Sequence, residues 1–318
     1  MSMTLVQVIV SGLLLGAVYA LFSSGLTLIW GMMNVVNFAH GDLFMLGTIF
    51  SGTFITWLFT AAGSTVGEFG TDSAPPLGLG IGIVLLALFA VMFFCGGINF
   101  LIERLAYRRL RSAPKLAPLI TAVGMSFVLQ FIGLKWNGSG QKGWVPVLPR
   151  TSIDVAGVVI KLNTLIILAL MLPLLVGLTY LVTKTRQGKA MRATAEDQDA
   201  ARLMGIDVNR TISFTFILGG ALAGVAGLMY HQMIATTSYN LGFRLGLIAF
   251  TAAVLGGIGN LSGAVLGGVL IGLISELNAG LPYGFGMRWG QSVVFVILIL
   301  LMVFKPEGLL GKPTTEKV

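Results

Sequence analysis

The side chains best placed to do chemistry in the first part of the chain are Asn34, Asn37, His40 and Asp42. They lie in the stretch Gly31-Met-Met-Asn-Val-Val-Asn-Phe-Ala-His-Gly-Asp42. No Lys, Arg, Asp or Glu precedes Asp42. An imidazole two residues from a carboxyl could relay protons, because ionisable groups inside apolar segments are functional candidates by default. The same pair could serve structure alone, with Asp42 ending a helix and His40 bonding a freed carbonyl. A second interruption of an apolar region is Gly256-Gly-Ile-Gly-Asn-Leu-Ser-Gly263. Irregular backbone at membrane depth survives only where it is buried in protein or lines a wet cavity. Paired broken segments therefore point to a solute path, with Asn34, Asn37, His40, Gly256, Gly257, Gly259 and Asn260 as its candidate residues. Catalytic machinery is missing. There is no Gly-x-x-x-x-Gly-Lys-Ser/Thr phosphate loop, no His/Cys metal spacing and no Gly-x-Ser-x-Gly turn. The chain is expected to be no enzyme, with no catalytic residue, no metal site and no cofactor of its own.

The elements that must position these residues are membrane helices. Of 318 residues, 56% are hydrophobic and 10% charged, and the mean hydropathy is +0.92. Apolar stretches recur at roughly 4–31, 43–62, 81–102, 116–134, 162–183, 212–236, 247–275 and 291–304. Most reach the ~20 residues that a helix needs to cross a bilayer. Their continuity, without alternation, argues against spanning strands. The expectation is an all-α polytopic membrane protein. It would have about eight spanning segments, broken or re-entrant half-helices and an inverted repeat, in a single transmembrane domain over 1–318. Met1-Ser-Met-Thr4 lacks the basic start of a secretory signal, so the first stretch reads as a retained span. The single Cys95 allows no internal disulfide.

The net charge of +8 could suggest nucleic acid, but its distribution argues for membrane topology. Fourteen of the twenty basic residues fall in 104–115, 184–210 and 305–317, which the positive-inside rule places in the cytoplasm. Loop 63–80, with Glu68 and Asp72, should face outward. Loop 135–161 should face outward by parity, despite Lys135, Lys142, Arg150 and Lys161. Residues 247–275 must then leave and return to the outer side. Twenty-nine residues are too few for two full crossings, which predicts a pair of half-helices or a re-entrant hairpin. Trp57, Trp136, Trp144 and Trp289 read as interfacial anchors, and His231 also as interfacial. Glycines 219, 220, 224 and 227, and 263, 267, 268 and 272, form small-residue faces suited to helix packing.

The loop 184–211 carries six basic residues and four acidic ones, Glu196, Asp197, Asp199 and Asp207. Its core, 189–204, has no Pro or Gly and predicts one helix stopped by Gly205. Ala193, Ala200, Leu203 and Met204 give that helix an apolar side. It is either a solvated connection or a docking element for a soluble partner.

Several motifs in order resemble the inner-membrane permeases of branched-chain amino acid ABC importers, the LivH type. They are Asn37-Phe-Ala-His-Gly-Asp42, Glu103-Arg-Leu-Ala-Tyr-Arg108, Leu119-Ile-Thr-Ala-Val-Gly124 with Leu129-Gln130, Ala195-Glu-Asp197 through Ala201 to Gly205-Ile-Asp207, Phe250-Thr-Ala-Ala-Val-Leu-Gly-Gly-Ile-Gly259, and Pro306-Glu-Gly-Leu-Leu-Gly311. The resemblance covers nearly the full length. It implies a multi-pass protein of the bacterial inner (plasma) membrane, in contact with membrane lipid and not with nucleic acid. It also implies a heterodimer with a second related permease, a periplasmic substrate-binding protein, and two cytoplasmic ATPase subunits that use the ATP. The loop 184–211 becomes the coupling loop, with Arg192, Glu196, Asp197, Ala200 and Gly205 facing an ATPase. Arg109 and Lys305 depart from the usual Pro and Arg, and loop 63–80 is longer than usual. Relatives of this fold carry urea, short amides or other small polar solutes, and the residues do not choose among these. Branched-chain amino acids are the first expectation. The competing reading is an ion-coupled secondary transporter for a small polar solute, with His40 and Asp42 as its coupling site.

Overall fold

The computed structural model describes residues 5–61, 76–111, 113–114, 116–144, 147–149, 151–155, 158–280 and 285–311. The expectation for the acidic loop 63–80 falls largely outside them. Among the described residues, eleven α-helices run α1 (Leu5–Met33), α2 (Ala39–Ala61), α3 (Leu77–Ile102), α4 (Leu116–Asn137), α5 (Leu162–Lys184), α6 (Arg186–Glu196), α7 (Gln198–Leu203), α8 (Val208–Ile234), α9 (Leu241–Gly256), α10 (Leu261–Gly280) and α11 (Gly290–Phe304). Seven are long and apolar enough to cross a membrane, and α9 and α11 are shorter apolar helices. The strands are short. β1 (Lys142–Gly143) pairs antiparallel with β4 (Thr236–Thr237), and β2 (Ser152–Val155) with β3 (Val158–Lys161).

The chain divides into two compact units. One comprises Met1–Val35, Met171–Thr215 and Leu247–Val318, the other Val36–Leu170 and Phe216–Gly246. The first unit is built on the seam between α1 and α10. A Cβ on Gly16 would lie 2.8 Å from the Val269 Cα, and one on Gly12 would lie 2.9 Å from the Leu273 Cα. Gly268 and Gly272 face the backbone of Ala20 and Gly16 in the same way. Small residues four apart on both helices let the two backbones touch, and close van der Waals packing replaces the hydrophobic drive that lipid does not supply. Ser23 adds a buried bond across the seam, its Oγ donating to the Ala264 carbonyl at 2.9 Å.

The second unit centres on α2, with α3, α4 and α8 around it. Gly47 lies against Gly224, where a Cβ would be 2.8 Å from the Gly224 Cα, and Gly227 lies against the Phe44 carbonyl. Asn99 of α3 donates to the Phe216 carbonyl of α8 at 2.6 Å. The expected packing role of the 220–227 glycines therefore holds. Two other expectations do not. His231 is fully buried and stands beside Ser51 at 3.3 Å, in the protein interior and not at an interface. Trp144 is no interfacial anchor either, because its ring fills the notch left by Gly52. Lys135 lies over the Phe131 ring and Lys142 over the Trp144 ring. Two of the basic residues that conflict with an outward 135–161 thus rest their charge on aromatic faces.

Residues 247–275 do break, with Gly257 at φ +105° and Gly259 at φ +89°. The limbs are longer than the apolar window suggested. Arg244 lies inside α9, and Glu276 and Asn278 inside α10, so polar residues within the helices had cut the window short. The twenty residues of α10 give about 30 Å, a full crossing, at 1.5 Å per residue. The sixteen of α9 give about 24 Å and fall short.

Candidate functional site

The stretch 34–42 forms the turn from α1 into α2. Asn34 takes a left-handed conformation, φ 51°, and its N–H donates to the Trp30 carbonyl at 2.7 Å. This is the helix-ending role that Asn can fill after Gly. Asn37 belongs to the second unit, which begins at Val36. Its Oδ1 accepts from the Tyr107 hydroxyl at 2.8 Å, and its carbonyl accepts the His40 N–H at 3.1 Å. Tyr107 closes a π-helical turn, Glu103–Tyr107, that follows α3, in which the buried Glu103 pairs with Arg111. Such turns often mark functional positions. Arg104, Arg108, Arg109 and Arg111 cluster at this end of α3, which the positive-inside rule assigns to the cytoplasm.

His40 and Asp42 are fully buried in the first turn of α2. Asp42 is the centre of a polar cluster. Ser126 donates its Oγ proton to Asp42 Oδ2, and Gln130 Nε2 reaches the same oxygen at 3.5 Å and Ser126 Oγ at 3.1 Å. Both partners lie on α4, one helical turn apart. The start of α9 closes the other side. A Cβ on Gly242 would lie 2.8 Å from both the Asp42 Cα and Oδ1, and one on Gly41 would lie 3.1 Å from the Gly246 Cα. A carboxyl at this depth is retained only where other polar groups receive it. Ser126 and Gln130 were not among the sequence-predicted residues. Their signal was weak, a Ser and a Gln one turn apart on an otherwise apolar span.

Gly256, Gly257, Gly259 and Asn260 fall in the other unit, together with Asn34. Their surroundings are structural. Gly257 packs against Gly308 and Gly311, and the tail is clasped by Leu309 N to Leu255 O at 2.8 Å and Leu310 N to Gly256 O at 3.0 Å. Asn260 caps α10 by accepting the Gly263 N–H at 3.2 Å, and its Nδ2 donates to the Leu310 carbonyl at 2.7 Å. The Pro306–Gly311 motif and the glycine-rich turn are thus one device. Positive φ and the close approach of the tail explain the glycines without a solute.

The predicted single helix 189–204 is two. Asp197 leaves the helical conformation, φ −154° and ψ 114°, and caps α7 by accepting the N–H groups of Asp199 and Ala200. Aspartate's preference for this position outweighs the helix propensity around it. Gly205, at φ +79°, ends α7 as expected. Thr185 caps α6, whose Met191 and Thr194 are buried. Gln198 Nε2 donates to the Met32 carbonyl of α1 at 3.0 Å. Arg192 turns back to the Val182 carbonyl. Glu196, Asp197, Ala200 and Gly205 are exposed. Leu203 and Met204 are 89% and 83% exposed, a large apolar pair beside exposed charged residues.

The family described as the branched-chain amino acid transport system permease component matches residues 8–303. The chain is 37% identical to the high-affinity branched-chain amino acid transport system permease protein BraD of Pseudomonas aeruginosa, over 98% of this chain and 97% of that protein. It is 33% identical to LivH of Escherichia coli, over the same shares. It is 30% identical to the probable LivH of Methanocaldococcus jannaschii, over 92% and 88%. No solved structure matches. Such permeases are non-enzymatic subunits of ATP-driven importers that work with ATPase subunits and a binding protein. Nearly end-to-end similarity, together with the apolar helices, makes this chain a multi-pass inner-membrane permease belonging to the branched-chain amino acid transport system permease family.

Proposed function

We propose that the chain imports branched-chain amino acids as one half of a heterodimer with a second related permease. The names of its relatives support that solute. ATP is used by the ATPase subunits, and this chain holds no cofactor. The whole chain acts as one transmembrane domain with the coupling loop 184–211 inside it. The observation that carries the coupling role is the exposed face of that loop, Glu196, Ala200, Gly205 and above all Leu203 and Met204. An apolar pair beside carboxylates, on the side bearing the basic residues, is the anchor that a soluble partner's groove would take. Arg192 and Asp197 act one step back, holding α6 to α5 and starting α7. Solute passes beside the Asp42 cluster, with Asn37 and His40 at its cytoplasmic end. Asn34 and residues 256–260 shape the turns that carry it.

Uptake tests this reading. Vesicles holding the full complex should accumulate L-leucine only with ATP and the binding protein, and an uncoupler should leave accumulation intact. Accumulation that ignores ATP depletion and collapses with the uncoupler would overturn it in favour of ion coupling.

A further inference from the structure

Four polar atoms are buried near the end of α8 with no hydrogen-bond partner among the described residues: His231 Nε2, Trp144 Nε1, Thr237 Oγ1 and Asn137 Oδ1. All four residues belong to the second unit. Ser51, His231 and Gln232 are fully buried beside them. The Ser51 proton goes to the Thr48 carbonyl at 2.9 Å, and Gln232 Oε1 accepts the Val147 N–H at 3.3 Å. The Gln232 amide nitrogen lies 3.4 Å from His231 Nδ1 and Ser51 Oγ lies 3.3 Å from it, and with either tautomer Nε2 has no partner among the described residues. The Trp144 indole N–H and the Thr237 hydroxyl are two donors without acceptors among the described residues, beside an imidazole Nε2 that is also unpartnered there. Buried polar groups are nearly always paired, and leaving one unmade is expensive. Several together indicate a group that another state of the protein supplies.

Trp144 covers them. A Cβ on Gly52 would lie 2.5–2.7 Å from Cδ2, Cε2 and Cε3 of its ring, so the ring occupies space that only glycine leaves. It meets His231 edge-on, with centroids 6.1 Å apart. Its backbone is held by the two-residue β1–β4 pair and by its N–H on the Ala235 carbonyl at 2.8 Å. Ala235 itself has φ 55°, strained for a residue with a Cβ. A bulky ring on so short a ladder can open without unfolding α2 or α8. The Lys142 Nζ lies 4.3 Å from the Trp144 ring centroid and brings positive charge to the rim.

We infer that this is a solute site closed by Trp144, in which Thr237 and Trp144 donate to a carboxylate or carbonyl oxygen and His231 Nε2 takes a further polar contact with the solute. This rests on the reading above only in naming the occupant, the carboxylate of a branched-chain amino acid. The site lies at the end of α8 opposite Arg210, the outer side by the positive-inside rule. Solute released by a binding protein would reach it before the Asp42 cluster.

The test uses the full complex in vesicles with Cys95→Ala and Ser51→Cys. A small, impermeant thiol reagent is added from the outer face. Labelling should be slow with Trp144 present and about tenfold faster in Trp144→Ala, as expected when a closed state loses its stabilising contact. Trp144→Phe should stay slow. Gly52→Ala, which displaces the ring but keeps it, should also accelerate labelling. L-leucine should slow the accelerated reaction. If acetamide alone slows it, the site stands and the amino-acid occupant falls. Equal rates in all variants, or no protection by either solute, overturn the site. ATP-driven leucine uptake, measured on Ser51 vesicles, separates that outcome from a failure of the importer reading.

Discussion

Both units bring helices into backbone contact through glycine, yet they use the closeness differently. Between α1 and α10 the glycines meet mainly backbone, with side-chain carbons of Leu273 and Glu276 beside Gly12, and Ser23 donates across the seam to a carbonyl. Around α2 the same close approach encloses Asp42, His40, Asn99 and His231, all fully buried. An apolar seam has one well-packed arrangement. A polar core has hydrogen bonds that can be exchanged, each worth about 1 kcal/mol net but costly when left open. The difference ties the first seam to packing and gives the second unit the polar interior that the proposed solute path uses.

The largest effect is expected of Gly268→Leu. Even a Cβ there meets the Ala20 backbone, and overpacking a tight contact costs about 1–3 kcal/mol or more. Membrane accumulation and uptake should fall together. Normal accumulation with lost uptake would make the α1–α10 seam a working part and erase the distinction. Asp42→Asn probes the other side. Its side-chain oxygen can still accept from Ser126, so accumulation should be near normal while leucine uptake drops steeply. Equal loss of both would make Asp42 structural.

A smaller effect is expected for Asn260→Ala, which removes the α10 cap and the bond to Leu310. The loss should be about 1–2 kcal/mol, read as a lower melting temperature in detergent with uptake retained. Loss of uptake at unchanged melting temperature would return residues 256–260 to the solute path. Smallest is Asp197→Ala, at about 1 kcal/mol for a helix cap. Amide exchange should quicken across 198–203 and leave α6 unchanged. Exchange quickening along 186–203 as one block would mean a single cooperative helix.

Sequence made the helices legible because membrane depth forces long apolar runs, and nearly every long helix starts or stops within a few residues of one. The glycine faces were legible for the same reason, as four-residue spacing on a helix is visible in one dimension. What escaped was contact between distant segments. Ser126 reaches Asp42 across 84 positions, and Tyr107 reaches Asn37 across 70. No local pattern marks either. Trp144 looked like an interfacial anchor because its seat is an absent side chain, Gly52. Arg244, Glu276 and Asn278 hid the true lengths of α9 and α10, since polar residues at helix ends look like loops. Asp197 hid in plain view: its capping preference was readable but was outvoted by the helix formers around it.

On the proposed reading, an ATPase subunit docks on the face carrying Leu203 and Met204. A photo-crosslinking residue at position 203, in the assembled importer, reads out that contact. An adduct with the mass of this chain plus an ATPase subunit should form, and none when the crosslinker replaces Phe93, which is 82% exposed on α3. An importer that retains uptake but yields adducts only with lipid or solvent at position 203 would contradict it.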